Sequence, residues 1–135
     1  MPEIKIFSPD VLGKPLGQYS QITRVKASEF IYIAGQLATN RDGQIIGADD
    51  FDAQCVQVFA NIETALTSVG AGWGNVVEFT TYLVHSQDIP KFMAYRKRAF
   101  PVFFRDGAYP PNTLLMVDRL VQEPFLVEVK TIAAL

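Results

Sequence analysis

Few side chains in this sequence are equipped to act on a small molecule, and their spacing narrows the chemistry. Glu128 and Lys130 stand two apart on an alternating stretch, so both project from one strand face together with Leu126 and Ile132. From spacing alone Glu128 reads as a strand carboxylate paired with Lys130 across the gap. Cys55 is the only cysteine, which rules out an internal disulfide. It falls on the apolar stripe of a helical stretch, the place of a small buried hydrophobe rather than of a nucleophile. His85, the only histidine, lies just past a strand and before a polar turn, a surface position. No second His, Cys or carboxylate stands at a ligand spacing from it, so no metal is expected. Arg96-Lys97-Arg98, the one basic cluster, lies in a helical stretch and reads as a solvated face.

The elements that must position these groups follow from periodicity. Ile4 to Phe7 alternates as a short strand and ends at Ser8-Pro9; a Gly- and Pro-bearing loop runs from Asp10 to Gln18. Ser20 to Lys26 and Phe30 to Ala34 read as antiparallel strands across a tight turn, and Asn40-Arg41-Asp42-Gly43 is a turn signal. From Asp50 to Val69, Phe51, Cys55, Val58, Phe59, Ile62, Ala65, Leu66 and Val69 recur at three- and four-residue steps, the pattern of one helix face. Asp49 or Asp50 can cap this helix and Gly70 can stop it. A β-branched strand, Val76 to Val84, is followed by a helix from Ile89 to Phe104 that Pro101 must kink or restart. Two closing strands, Asn112 to Val121 and Leu126 to Ala133, read as a hairpin across Gln122-Glu123-Pro124. The order β-β-β-α-β-α-β-β predicts one α+β domain over residues 1–135, a mixed sheet with both helices on one face. The opposite sheet face then needs a cover, and self-association supplies one.

Composition agrees. The chain is 49% hydrophobic and 19% charged with a net charge of −2, globular and richer in apolar residues than one small core needs. There is no basic stripe of the kind that phosphate contacts require, so nucleic acid is not an expected partner. No apolar stretch reaches membrane-spanning length, and the N-terminus lacks the layout of a signal peptide, so a cytoplasmic protein without a membrane partner is expected.

Five short motifs stand in order along nearly the whole chain and together resemble one family. They are Leu16-Gly17-Gln18-Tyr19-Ser20; Phe30 to Gln36; Asn61-Ile62 through Val69-Gly70-Ala71-Gly72 and Val76-Val77; Tyr109-Pro110-Pro111-Asn112-Thr113; and Leu126 to Ala133. They are similar to the Gly-Pro-Tyr-Ser opening, the strand ending in Ser-Gly-Gln, the central helix and following strand, and the closing signature of the RidA (YjgF) family. The resemblance implies a chorismate-mutase-like fold and a homotrimer with three small-molecule clefts between neighbouring subunits. It further implies hydrolysis of enamines and imines to ammonia and a keto acid, with no metal and no cofactor.

The resemblance also assigns residues. Hydrolysis of a 2-imino acid needs its carboxylate held, a water placed at the C=N carbon and a proton delivered to the departing nitrogen. Glu128 matches the family's catalytic carboxylate, Tyr19 its cleft tyrosine and Gly35 the glycine whose backbone approaches the ligand, while Ala34 stands where a serine is common. Asn112 occupies the place of the family's carboxylate-binding arginine, expected beside Glu128 on the neighbouring strand. Asparagine can hydrogen-bond a carboxylate but cannot compensate its charge. Leu114 stands near a position often held by Cys and makes the pocket more apolar. Arg119, seven residues from Asn112, is roughly 23 Å away along a strand at about 3.3 Å per residue, and the odd offset faces it the other way. Lys14 or Arg24 of a neighbouring subunit is the remaining basic candidate. Two functions follow as expectations: an imine deaminase whose substrate range Asn112 alters, or a trimer that binds small metabolites or protects against stress without turnover.

Overall fold

The computed structural model describes all residues, 1–135. The element order is β1 (Glu3–Phe7), β2 (Ile22–Lys26), β3 (Phe30–Gln36), α1 (Phe51–Ser68), β4 (Val76–Leu83), α2 (Ile89–Phe103), β5 (Asn112–Met116) and β6 (Val127–Ala134).

α1 forms where the apolar period demands it. The Asp50 side chain accepts a hydrogen bond from Ala53 N at 3.0 Å, and Gly70, with φ at 76°, turns the chain out of the helix. Phe51, Cys55, Val58, Phe59, Ile62 and Leu66 are buried as the spacing predicts, whereas Val69 at the frayed end is 41% exposed. Gln54 joins the buried face although it is polar: its amide donates to Gly47 O and Pro124 O and accepts from Leu126 N, tying two loops to the helix. α2 continues through Pro101 to Phe103. A proline so near the end costs one backbone hydrogen bond, and Phe104 N still closes the last turn on Phe100 O at 2.8 Å.

The main sheet has the order β3-β6-β4-β5, with β6 antiparallel to both neighbours and β5 parallel to β4. Two expected hairpins are therefore absent. β5 and β6 do not pair: α2 serves as the crossover between parallel β4 and β5, and the chain then returns so that β6 enters the middle of the sheet. β6 has the sequence for that place, since Val127, Val129, Thr131 and Ala133 are all buried. β2 pairs with β1 rather than β3, forming a two-stranded ribbon held to β4 by Thr23 Oγ1 donating to Val77 O at 2.7 Å. The tight turn at Ser28-Glu29 points elsewhere: both backbone N–H groups donate to Leu135 O.

Both helices pack on one face of the sheet around Phe59, whose ring lies 5.8 Å from Phe79, 5.4 Å from Tyr95 and 5.5 Å from Phe100. The other face carries Phe30, Tyr32, Glu78, Thr80, Tyr82, Leu115, Glu128, Lys130 and Ile132 by strand alternation. Tyr32 there is 70% exposed, Phe30 47% and Leu115 43%, so the chain leaves much of this face uncovered.

Candidate functional site

β3 carries one extra residue against β6 between the pairs Ile33–Thr131 and Gln36–Val129, a bulge formed at Ala34 and Gly35. The bulge brings the Gly35 backbone against the side chain of Glu128. A Cβ at position 35 would fall on Glu128 Oε2 and lie 2.6 Å from Cδ and 2.8 Å from Cγ. Gly35 is required here for room, as its φ is not positive. Glu128 is half-buried, and desolvation holds its carboxyl above the usual carboxylate range. The ion pairs of the chain are Lys91–Asp88, Arg98–Asp52 and Arg119–Glu123, so Lys130 does not neutralise Glu128.

Asn112 opens β5 level with Phe79 of β4, and Leu114 stands level with Thr81. The buried Thr81 hydroxyl donates to Asn112 Oδ1 at 2.7 Å, which fixes the carboxamide and leaves its NH₂ free. Leu114 is half-buried against the core. Both side chains lie on the helix-bearing side of the sheet. Glu128, level with Tyr82, points to the other side, with β4 between its strand and that of Asn112. The expectation that Asn112 stands beside Glu128 is corrected accordingly. The reason is the insertion of β6 between β3 and β4, which replaces the closing hairpin.

Tyr19 lies in the irregular segment before β2, where its hydroxyl accepts from Leu16 N at 3.1 Å. Its ring faces Arg96, with Cζ 5.6 Å from the ring centroid, and Phe92 flanks the same guanidinium at 4.9 Å. Arg96 is only 2% exposed, which overturns the solvated-face reading for this residue. Lys97 and Arg98 are exposed as expected, and Arg98 reaches Asp52 at 3.6 Å. Position 96 differs because it falls four residues from both Phe92 and Phe100, on the buried stripe of α2. That spacing was the available signal in the sequence, masked by two charged neighbours. Arg96 Nη2 contacts Met93 Sδ at 3.0 Å, while Nε and Nη1 have no partner in the protein. Burial pulls its pKa down to about 10, with Tyr19 acting in the opposite direction, so it stays cationic at neutral pH.

Cys55 is fully buried, and desolvation, with Asp52 and Asp88 nearby, pushes its thiol pKa up, away from thiolate chemistry. His85 is exposed. No group of three or more His, Cys, Asp or Glu side chains is gathered to hold a metal ion, and no helix is long and apolar enough to cross a membrane.

Thus the structure places Glu128 with Gly35 on one face of the sheet and Asn112 with Leu114 on the other, with Tyr19 beside Arg96. Residues 11–135 match the family model described as Endoribonuclease L-PSP. A RutC family protein of Pyrococcus horikoshii is 32% identical over 121 residues, 89% of either chain. Another, of Pyrococcus abyssi, is 31% identical over 120 residues, 89% of this chain and 88% of that one. Among solved structures, YyfB of the conserved Rid protein family from Yersinia pestis superposes with a TM-score of 0.87 at 28% identity, covering 98% of each chain. RidA from an Antarctic Psychrobacter gives a TM-score of 0.68 at 26% identity, covering 97% of this chain and 99% of that one.

Proposed function

Because the chain belongs to the Endoribonuclease L-PSP family, the RidA (YjgF) proteins, we propose that it hydrolyses reactive imines in clefts shared between copies of itself. The observation that carries this reading is the unneutralised, half-buried Glu128 held against Gly35, with its pKa raised by desolvation. A carboxyl group tuned towards neutrality can accept a proton from water and return it to nitrogen. Water adds to the C=N carbon while Glu128 takes its proton and returns it to the nitrogen, giving a carbinolamine; Glu128 then moves the carbinolamine O–H proton to the amine as the C–N bond breaks, and ammonia and a carbonyl product leave. Asn112 and Leu114 of one copy and Glu128 with Gly35 of the next face a common cleft in a homotrimer, which reconciles their opposite orientations within one chain. Asn112 offers an NH₂ donor without charge, so the substrate range differs from that of an arginine-bearing relative. No cofactor or metal is required, and the protein works in the cytoplasm. A net charge of −2 argues against RNA as substrate despite the family's descriptor.

Ammonia release from imines generated in solution tests the reading, with Glu128→Gln as control. The parent should accelerate hydrolysis, and the variant should lose on the order of 10²–10⁴-fold, the usual share of a general acid–base. A parent rate equal to the uncatalysed one would instead favour a binding protein without turnover, the reading to which the uncharged Asn112 lends support.

A further inference from the structure

A guanidinium enclosed with two unpartnered nitrogens is expensive to build and needs a reason. Arg96 is such a group: 2% exposed, bonded only to Met93 Sδ, and outside every ion pair of the chain. Its other neighbours are aromatic faces, Phe92 at 4.9 Å and Tyr19 at 5.6 Å, which hold a cation without saturating its N–H donors.

Its place in the fold is informative. α2 runs back along β4, since Phe100 and Phe104 near its end pack on Phe79 near the start of the strand, at 5.7 and 6.1 Å. Asn112 is level with Phe79. Arg96 precedes Phe100 by about one helical turn, roughly 5.4 Å, which carries it towards the level of Thr81 and Leu114. It therefore lies on the same side of the sheet as Asn112.

Its cover is thin. Gly17 lies directly over it: a Cβ there would come within 3.2 Å of Arg96 Nη2 and 2.6 Å of Met93 Cε. From Lys14 to Ser20 the backbone N–H groups bond only within the segment, Leu16 N to the Tyr19 hydroxyl and Tyr19 N to Gly17 O. Leu16 is 85% exposed, and Pro15, Gln18 and Tyr19 are only half-buried.

We propose that Arg96 is the anion-binding residue of this cleft, receiving the carboxylate of a small organic acid when the Lys14–Ser20 segment lifts with Tyr19. The inference rests on the cleft proposed above and supplies the positive charge that Asn112 lacks. Tyr19 then gates the guanidinium and afterwards closes over the ligand.

Calorimetric titration of the purified protein with 2-oxobutanoate and with its neutral amide tests this apart from catalysis. The parent should bind the carboxylate at least about tenfold more tightly than the amide, and Arg96→Met should abolish that preference, as removal of a charge-assisted contact requires. Arg96→Met keeps the apolar packing against Phe92 and Tyr19. If it nonetheless fails to fold, the Arg96 Nε–H resonance of the parent, followed by NMR, decides, and it should shift on addition of 2-oxobutanoate. A parent without preference for the carboxylate, an Arg96→Met variant that keeps it, or an unmoved Nε–H signal at saturation each overturns the proposal. Absence of ammonia release with carboxylate preference intact would remove the hydrolysis and leave the anchor standing.

Discussion

Glu128 owes its chemical character to what surrounds it rather than to a partner. Its carboxyl lies beside backbone at the β3 bulge, with Lys130 two residues on and not engaged. Desolvation raises its folded pKa above the unfolded value, so the fold favours the protonated form. That contribution is fully present below the unfolded pKa and is lost as pH rises through the folded one. Glu128→Gln imitates the protonated acid at every pH. Its melting temperature should therefore match the parent's near pH 4 and exceed it increasingly towards pH 7, above the ordinary carboxylate range of about 4.3. A gap that stays constant or shrinks with rising pH, in thermal melts at fixed ionic strength, would contradict the desolvation account.

At the scale of elements, the bulge on β3 makes a sharp prediction. Gly35→Ala needs no forbidden backbone angle, and the atoms its Cβ meets belong to the flexible side chain of Glu128. The variant should lose little stability, under about 1.5 kcal/mol by chemical denaturation. Its turnover should nonetheless fall about as far as that of Glu128→Gln, because the carboxylate must swing away. Retained turnover would mean that the Glu128 position seen here is not the working one. This pairing marks how far the sequence could be read. Periodicity sufficed for α1, for α2 and for the strand cores, since burial of Phe59, Phe79 and Phe100 follows from local spacing. Strand partners were not legible, because alternation says which face a residue occupies but not which strand lies beside it. Hence the two false hairpins, and with them the misplaced neighbourhood of Asn112 and Glu128. Gln54 and Arg96 were missed for the opposite reason: each is a polar residue on an apolar stripe, where the pattern alone assigns the interior to hydrophobes.

The whole molecule has an unfinished look as a single copy. Only 27 of its 135 residues are buried, and the sheet face opposite the helices shows Tyr32, Phe30 and Leu115 to solvent. Patches of this kind on soluble proteins mark association surfaces. Light scattering at micromolar concentration should return three times the 15.0 kDa chain mass, and Tyr32→Asp should shift the population towards single chains by placing a charge in the interface. A parent of single-chain mass would refute the shared-cleft arrangement on which the proposed chemistry depends. The same topology has a consequence for how the chain is made. β6 is the last strand in sequence yet sits between β3 and β4. On the ribosome, residues 1 to about 126 can collapse around α1, but β3 and β4 have no bonded route to one another until the final strand emerges and slides between them. The sheet is closed by a keystone delivered last. The sheet therefore cannot close until residues 127–134 have been made, and in that interval the backbone edges of β3 and β4 are open to any other extended chain nearby.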